Sequence, residues 1–244
     1  MRWSQLLFSQ GFGTRRECEA LLLAGRVRHA GRTVDDPDEA VDAADGLIFE
    51  VEGRAWPYAA QALILLHKPA GYECSQRPGA SPSVMTLLPW PLRRRGRGGV
   101  QAVGRLDVDT TGLLLLTDDG ALLHRLTSPK HHVPKVYEVT AKHPVDDAQI
   151  ARLLAGVVLN DEPRDEPTPV RAAAAERTGA ATLRLTLTEG KYHQVKRMLA
   201  AVGNRCEALH RSAIGPLALP ADLLPGRWRW VGAAERAALE AAGR

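Results

Sequence analysis

The sequence lacks the features that define secreted, metal-knuckle and membrane proteins. Its three cysteines are odd in number and widely spaced, which suits neither a disulfide framework nor a zinc site. The longest apolar runs, at residues 63–66 and 113–116, are far shorter than the roughly 18 residues of a spanning helix. Arg2, Ser4 and Gln5 interrupt the first apolar stretch, so no signal peptide is predicted. We expect a protein of the reducing cytoplasm with no membrane partner.

Lysine is also scarce, and charge is unevenly distributed. The 32 basic residues are 26 Arg and 6 Lys, and 28 acidic residues leave a net charge of +4. Arginine suits phosphate contacts and base stacking, although a broad coding bias would produce the same excess. Residues 1–34 carry six Arg and two Glu, whereas residues 35–52 carry eight acids and no base. The basic segment is either ordinary solvated surface or a face for a polyanion.

The first sixty residues read as a small module. Residues 3–10 predict a helix, and Thr14 and Glu17 have the spacing of a capping box at the start of a second one. Residues 27–34 predict two short strands around a turn. Residues 53–60 contain a proline and show no periodicity, so we interpret them as a linker. A second body is expected to follow it.

The second body mixes strands and helices without a regular alternation, which predicts an α+β fold. The cleanest strand signal is the strict alternation of Leu and polar residues over 182–188. Residues 89–99 are rich in Arg, Pro and Gly and predict an exposed basic loop. Asp118 and Asp119 are expected to cap the helix that follows them. The other predicted elements are strands over 62–66, 112–117 and 135–140 and helices over 119–127 and 193–202, the last with a buried stripe of Val195, Met198, Leu199 and Val202.

The segment from Gly104 to Gly112 is the strongest candidate for chemistry. It is dense in Gly, Asp and Thr and leads directly into a predicted buried strand. Here Asp107 is either a poised carboxylate or part of an Asx turn that bonds its own backbone. If the segment is extended, Asp107 and Asp109 lie on one face about 7 Å apart, as in an inverting glycosidase. If the segment is a turn, that pairing disappears.

A second candidate is the basic start of the last predicted helix. Residues 191–197 contain Lys191, His193, Lys196 and Arg197, and a helix start with such residues favours an anion, either a phosphate or a carboxylate. An ordinary solvated helix face is the alternative. Together with the basic module and the Arg-rich loop, this segment points towards an enzyme that binds RNA, without defining the reaction.

These segments resemble the RsuA-type pseudouridine synthases of ribosomal RNA. Three motifs carry the resemblance: residues 104–120, the strand Lys135-Val136-Tyr137-Glu138-Val139, and residues 189–198, read Glu-Gly-Lys-Tyr-His-Gln-Val-Lys-Arg-Met. Residues 66–72 and Leu209-His210-Arg211 also fit. The resemblance extends over about residues 2–232. It implies an S4-like RNA-binding domain at 1–58, a catalytic domain at 59–233 built on a mixed, mainly antiparallel sheet with flanking helices, and a C-terminal tail at 234–244.

The resemblance also implies roles for individual residues. Asp107 would be the nucleophile, Tyr137 would stack on the flipped uracil, and Lys196 would pair with Asp107, with Arg197 as the alternative partner. Arg105 would help to extrude the base. The implied reaction needs no metal or redox cofactor. Further RNA contacts are expected from His193, Gln194, Arg197, Arg15, Arg16, Arg26 and Arg28.

The implied substrate is one uridine of 16S ribosomal RNA, free or in a small-subunit assembly intermediate, and the protein is expected to be a monomer. This subclass depends on residues 192–197, whose Tyr-His-Gln-Val-Lys-Arg is similar to the small-subunit enzymes. Three alternatives stay open. They are the same reaction on 23S RNA, a non-catalytic RNA-binding assembly factor, and a base-releasing glycosidase that uses Asp107 and Asp109.

Overall fold

The computed structural model describes residues 1–96, 98–159 and 169–242, and this part of the chain forms two compact units. Unit 1 comprises residues 1–63, 85–101 and 116–119, and unit 2 comprises residues 64–84, 102–115 and 120–244. Unit 1 therefore includes two segments that come after the first sixty residues in the sequence. In neither unit is a described helix long and apolar enough to cross a membrane.

Unit 1 combines three helices with a four-stranded sheet in the order β2-β1-β3-β4, in which every neighbouring pair is antiparallel. Its core contains the fully or almost fully buried Trp3, Leu6, Leu22 and Phe49. The elements are α1 (Trp3–Gln10), α2 (Arg15–Leu23), β1 (Val27–His29), β2 (Arg32–Val34), β3 (Ile48–Val51), β4 (Arg54–Pro57) and α3 (Trp90–Arg94).

The local signals of the N-terminal module are confirmed. Helix α1 ends where Gly11 adopts a left-handed conformation with φ of 86°, which glycine adopts without steric cost. At the start of α2, Thr14 Oγ1 accepts a hydrogen bond from the Glu17 backbone, and the Glu17 carboxylate accepts one from the Thr14 backbone at 2.6 Å. The β1–β2 turn places Ala30 and Gly31 at positive φ, as expected for a tight hairpin.

Two sequence predictions about unit 1 are wrong. Residues 53–60 are not a linker, because residues 54–57 form strand β4, which pairs with β3 and buries Trp56. Residues 89–99 are not an exposed loop, because residues 90–94 form α3 and Leu92 is fully buried. Arg97, which belongs to that predicted loop, lies outside the described residues. In both cases packing against distant segments decides the structure, and local composition does not record it.

Arg95, which follows α3, is the centre of a buried polar network in unit 1. Its side chain is 1% exposed and donates to Asp118 Oδ2 at 2.7 Å, to Gln10 Oε1 at 2.6 Å and to the Ala59 carbonyl at 2.7 Å. Asp118 also accepts a hydrogen bond from the Ala62 backbone at 2.6 Å. The prediction that Asp118 caps the following helix is therefore wrong, since its carboxylate is used by these partners.

Unit 2 contains most of a large mixed sheet in the order β13-β5-β7-β11-β8-β10-β9, with β12 beside β11 and β6 beside β7. The β7–β11 pair is parallel, whereas the pairs formed by β8 with β10 and β11, by β9 with β10, and by β5 with β13 are antiparallel. The strands are β5 (Leu63–Lys68), β6 (Gln101–Ala102), β7 (Thr111–Thr117), β8 (Lys135–Ala141), β9 (Ala174–Arg177), β10 (Thr182–Leu187), β11 (Cys206–Ile214), β12 (Leu217–Ala218) and β13 (Trp228–Trp230).

Four helices accompany this sheet: α4 (Gly120–Thr127), α5 (Asp147–Ala155), α6 (Gln194–Ala201) and α7 (Ala233–Ala242). The α+β fold class is confirmed by this mixed sheet and its helices. The alternating strand is confirmed as well, because the three leucines of β10 are buried. The predicted stripe of α6 is buried as well. The segment expected as a C-terminal tail forms α7, whose Leu239 is fully buried.

Candidate active site

The candidate site is built on a tight turn between β6 and β7. The Thr110 backbone donates to the Asp107 carbonyl at 3.1 Å and so closes the turn over residues 107–110. The segment is therefore not extended, and the predicted one-face arrangement of Asp107 and Asp109 on a strand is wrong. Strand β7, which follows the turn, is buried along almost its whole length.

A buried lysine donates hydrogen bonds to the backbone of this turn. Lys68, at the end of β5, is fully buried, and its ammonium group donates to the carbonyls of Pro69, Val108 and Thr110 at 3.0, 3.2 and 2.7 Å. Burial lowers the pKa of Lys68, with the nearby carboxylates acting in the opposite direction. Because two of its three acceptors belong to the turn, Lys68 positions the backbone that carries the carboxylates.

Lys196 on α6 is shared by both carboxylates. Its Nζ lies 3.1 Å from Asp107 Oδ2 and 2.7 Å from Asp109 Oδ1. Burial lowers the pKa of Lys196, but its hydrogen bonds to Asp109 and Asp107 outweigh that effect, so the pKa is raised overall. The hydrogen bond from Lys196 to Asp109 also lowers the pKa of the Asp109 carboxyl. Lys196 and Asp109 are therefore ionised at neutral pH, and the same ammonium also contacts Asp107.

The start of α6 is shaped to place its side chains around Asp107. His193 adopts a left-handed conformation with φ of 47°, which is uncommon for a residue with a side chain. Its Nε2 lies 3.3 Å from Asp107 Oδ1, and its ring stacks on Tyr192 with centroids 3.8 Å apart. The strained backbone thus turns the imidazole towards the carboxylate.

The buried side chain of Gln194 makes hydrogen bonds that order the loop before α6. Its side chain is buried, its amide nitrogen donates to Glu189 Oε1 at 2.9 Å, and its amide oxygen accepts from the Lys191 backbone at 2.8 Å. Both ends of the amide are therefore used within the protein, and the expected contact of Gln194 with RNA stays a prediction. Gln194 orders the loop that carries His193.

Tyr137 on β8 lines a cavity of about 590 Å³ together with Arg105, Asp107 and Lys196. Strand register places Tyr137 opposite Leu185 of β10 and Arg211 of β11. The phenol ring is only partly buried, so one part of it is open to a ligand. A cavity of this size is in the range that accepts a small organic group such as a nucleotide base.

Two further cations, Lys135 and Arg211, line the same cavity. Burial, aided by the charge of Arg211, lowers the pKa of Lys135 to about 8. Arg211 is buried and donates from Nε to the Leu113 carbonyl at 2.8 Å, but its Nη2 has no hydrogen-bond partner among the described residues. The Thr110 hydroxyl is unpartnered in the same sense. Both unpartnered atoms are themselves buried.

Comparisons with known proteins identify a family for this chain. Residues 62–201 match the family model for RNA pseudouridylate synthases. The chain belongs to this family. It is 39% identical over 235 residues to "Ribosomal small subunit pseudouridine synthase A" of Pasteurella multocida, covering 96% of this chain and 97% of the relative. It is 42% identical over 212 residues to the protein of the same name from Escherichia coli K12, covering 85% and 88%.

A solved structure described as a pseudouridylate synthase is also similar. It shares 34% sequence identity and a TM-score of 0.67, with 98% of this chain and 99% of that chain covered. The predicted resemblance to RsuA-type pseudouridine synthases is confirmed by these matches. The chain is accordingly a pseudouridine synthase, an enzyme of the isomerase class, on the mixed α+β fold described above.

Within this pseudouridine synthase, the structure brings Asp107, Lys196, Tyr137, His193 and Arg105 to one cavity. Arg197 Nη1 donates to the Tyr192 carbonyl at 3.3 Å. The arginines expected to contact RNA in the N-terminal module lie in unit 1, and all are exposed: Arg15, Arg16, Arg26 and Arg28.

Sequence reasoning missed the residues that support the site. Lys68 entered only as part of a short motif, although a lysine directly after a buried apolar strand is a usable signal. The sharing of Lys196 with Asp109 had no such signal, because the two residues are 87 positions apart. No group of three or more His, Cys, Asp or Glu side chains in the described ranges is arranged to hold a metal ion.

Proposed function

We propose that this enzyme converts one uridine of small-subunit ribosomal RNA, 16S RNA, to pseudouridine. The relatives named for the small ribosomal subunit support the choice of RNA. One observation carries the chemistry. The Asp107 carboxylate is held by Lys196 and His193 at 3.1 and 3.3 Å on a cavity that is also lined by Tyr137.

The reaction breaks the bond between uracil N1 and the ribose C1′ and forms a bond between uracil C5 and C1′. The proton on C5 is lost and N1 gains one, so atoms and oxidation level are unchanged. Asp107 is the nucleophile, directed either at C1′ or at the uracil ring. Lys196 orients the Asp107 carboxylate for attack. The bond that Asp107 forms with C1′ or with the ring is broken again before the product leaves, so the free carboxylate is regenerated.

Tyr137 provides the surface on which the base is retained. Uracil flipped out of the RNA would stack on its ring. Arg105 is exposed and lines the cavity, as expected of a residue that takes the place of the extruded base. Retention of the base separates this reaction from glycosidic hydrolysis.

RNA docking is assigned to the N-terminal module, proposed as an S4-like domain over residues 1–58 preceding the catalytic domain at 59–233. The four exposed arginines Arg15, Arg16, Arg26 and Arg28 support it, because guanidinium groups bind phosphates in bidentate fashion. His193 adds a contact near the reacting base. The enzyme is proposed to act as a cytoplasmic monomer on free RNA or an assembly intermediate.

The deciding experiment replaces Asp107 by Asn and measures tritium release from RNA carrying 5-tritiated uridine, since C5 loses its hydrogen in the reaction. We expect release to be abolished while RNA binding survives. Asp222→Asn is the matched control, because Asp222 is an exposed carboxylate of unit 2, and it should retain full activity. Activity of Asp107→Asn, or free uracil as the product, would overturn the mechanism.

The choice of RNA needs a separate measurement. Pseudouridines are mapped in ribosomal RNA from cells with and without this protein. We expect one 16S position to lose its modification. Loss of a 23S position with 16S RNA unchanged would assign the enzyme to the large subunit, and an unchanged map together with inactive purified protein would favour a non-catalytic assembly factor.

A further inference from the structure

An exposed tryptophan flanked by two arginines is presented by α3 of unit 1. Trp90 is 53% exposed, which is unusual for so large an apolar side chain. The guanidinium carbons of Arg93 and Arg94 lie 5.5 and 4.6 Å from the Trp90 ring centroid. Both arginines are exposed. We call these three residues the Trp90 surface.

The Trp90 surface is rigidly supported. On the opposite side of α3, Leu92 is fully buried, and Arg95 makes the buried network with Asp118 and Gln10. Helix α3 also lies so close to the end of α1 that a Cβ at Gly11 would overlap the Pro91 carbonyl. The helix is therefore held in place before any partner binds, which reduces the entropy cost of binding.

Charge around the Trp90 surface selects a polyanion. Arg15 at the start of α2 lies over the Phe8 ring at 5.6 Å, a second exposed aromatic–arginine pair in unit 1. Glu17 accepts backbone and side-chain hydrogen bonds from Thr14, and these lower the pKa of its carboxyl with a smaller contribution from Arg94. Elsewhere in unit 1, residues 35–52 carry eight acids and would repel RNA. Phosphates are therefore expected at the exposed Arg15, Arg93 and Arg94.

We propose that the Trp90 surface is a docking site for an unpaired stretch of the substrate RNA, with a base stacked on Trp90 and flanking phosphates bound by Arg93 and Arg94. Aromatic stacking on bases combined with cationic groups on phosphates is the general means of binding single-stranded nucleic acid. The inference rests on the proposed function for the identity of the RNA. It extends the RNA interface beyond the N-terminal module, to a segment about thirty residues further along the chain.

The test measures affinity for a 16S ribosomal RNA transcript by filter binding. Trp90→Ala should weaken binding about 5- to 150-fold and raise KM with kcat unchanged, because Trp90 does not line the catalytic cavity. Trp90→Phe retains an aromatic ring and should restore most of the affinity. Arg94→Glu should weaken binding and reduce the salt dependence by about 0.7–0.9 in log–log slope for each phosphate that the variant no longer neutralises.

Arg171→Glu is the matched control, because Arg171 is an exposed arginine outside the N-terminal module and outside the lining of the catalytic cavity, and it should leave affinity within about twofold. Unchanged affinity in Trp90→Ala would overturn the inference, as would a reduced kcat with KM unchanged. If Trp90→Ala fails to fold, Trp90→Phe and Arg94→Glu decide the matter. The proposed function is judged separately, because Asp107→Asn tests catalysis without touching this surface.

Discussion

Replacing the buried Arg95 by methionine should strongly destabilise unit 1. The guanidinium group donates three hydrogen bonds of 2.6–2.7 Å, one of them to the carboxylate of Asp118, and is 1% exposed. Methionine has a similar length and can fill part of the space, but it leaves Asp118, Gln10 and the Ala59 carbonyl without this donor. Removing one partner of a buried ion pair typically costs about 3–5 kcal/mol, and we expect a decrease of that size in the free energy of unfolding.

The assay is equilibrium unfolding in urea followed by tryptophan fluorescence. Trp3, Trp56 and Trp90 belong to unit 1, and Trp228 and Trp230 belong to unit 2, so three of the five tryptophans report on the unit that contains the network. Arg93→Met is the matched control, because it is the same substitution on α3 at an exposed position, and it should change stability by no more than about 0.5 kcal/mol.

A decrease below about 1 kcal/mol in Arg95→Met would refute the reasoning, since a buried group left without its partner should cost more. It would mean that water or rearranged side chains satisfy the abandoned groups. The double variant with Asp118→Asn provides a second check. If the two residues act as a pair, its destabilisation should be clearly smaller than that of the two single variants combined.

Two further predictions concern unit 2. Burial lowers the pKa of Lys135 to about 8, so between pH 8 and about 10.5 the unfolded chain binds more protons and wild-type stability rises with pH. Lys135→Met should therefore stabilise the protein at pH 7, by roughly 3 kcal/mol at most, and lose this advantage by about pH 10.5 in thermal unfolding; an equal gain at both pH values would contradict it. Gly112 has φ of 110°, and a Cβ there would lie 2.6 Å from the Arg211 backbone nitrogen. Gly112→Ala should cost about 2 kcal/mol or more, whereas Gly120→Ala, with open space around it, should be nearly neutral by the same measurement.

Sequence patterns predicted the elements whose signals are local. The Thr14–Glu17 capping box, the β10 alternation and the buried stripe of α6 all depend on neighbours within a few positions, and all are confirmed. The prediction of an exposed loop over residues 89–99 was wrong for the opposite reason. Arg95 bonds Gln10, which is 85 positions away, and no composition rule separates an arginine with such a partner from a solvated one.

The candidate site also has some features that the sequence indicated and others that it did not. The proximity of Lys196 to Asp107 followed from the family resemblance, and the structure reports it at 3.1 Å. The turn over residues 107–110, its support by Lys68 and the internal role of Gln194 depend on packing between β5, β7 and the loop before α6. That packing exists only once the sheet has formed, so it could not be deduced from spacing.

The make-up of unit 1 has a practical consequence for dissecting this enzyme. Cutting the chain after residue 58 would remove Gln10 and Gly11 but leave α3, Arg95 and Asp118 on the remaining fragment. That fragment would expose the apolar face of α3 and leave the Arg95 guanidinium without one of its acceptors. We expect it to aggregate, so a separable catalytic fragment requires redesign of residues 85–101 in addition to a new start point.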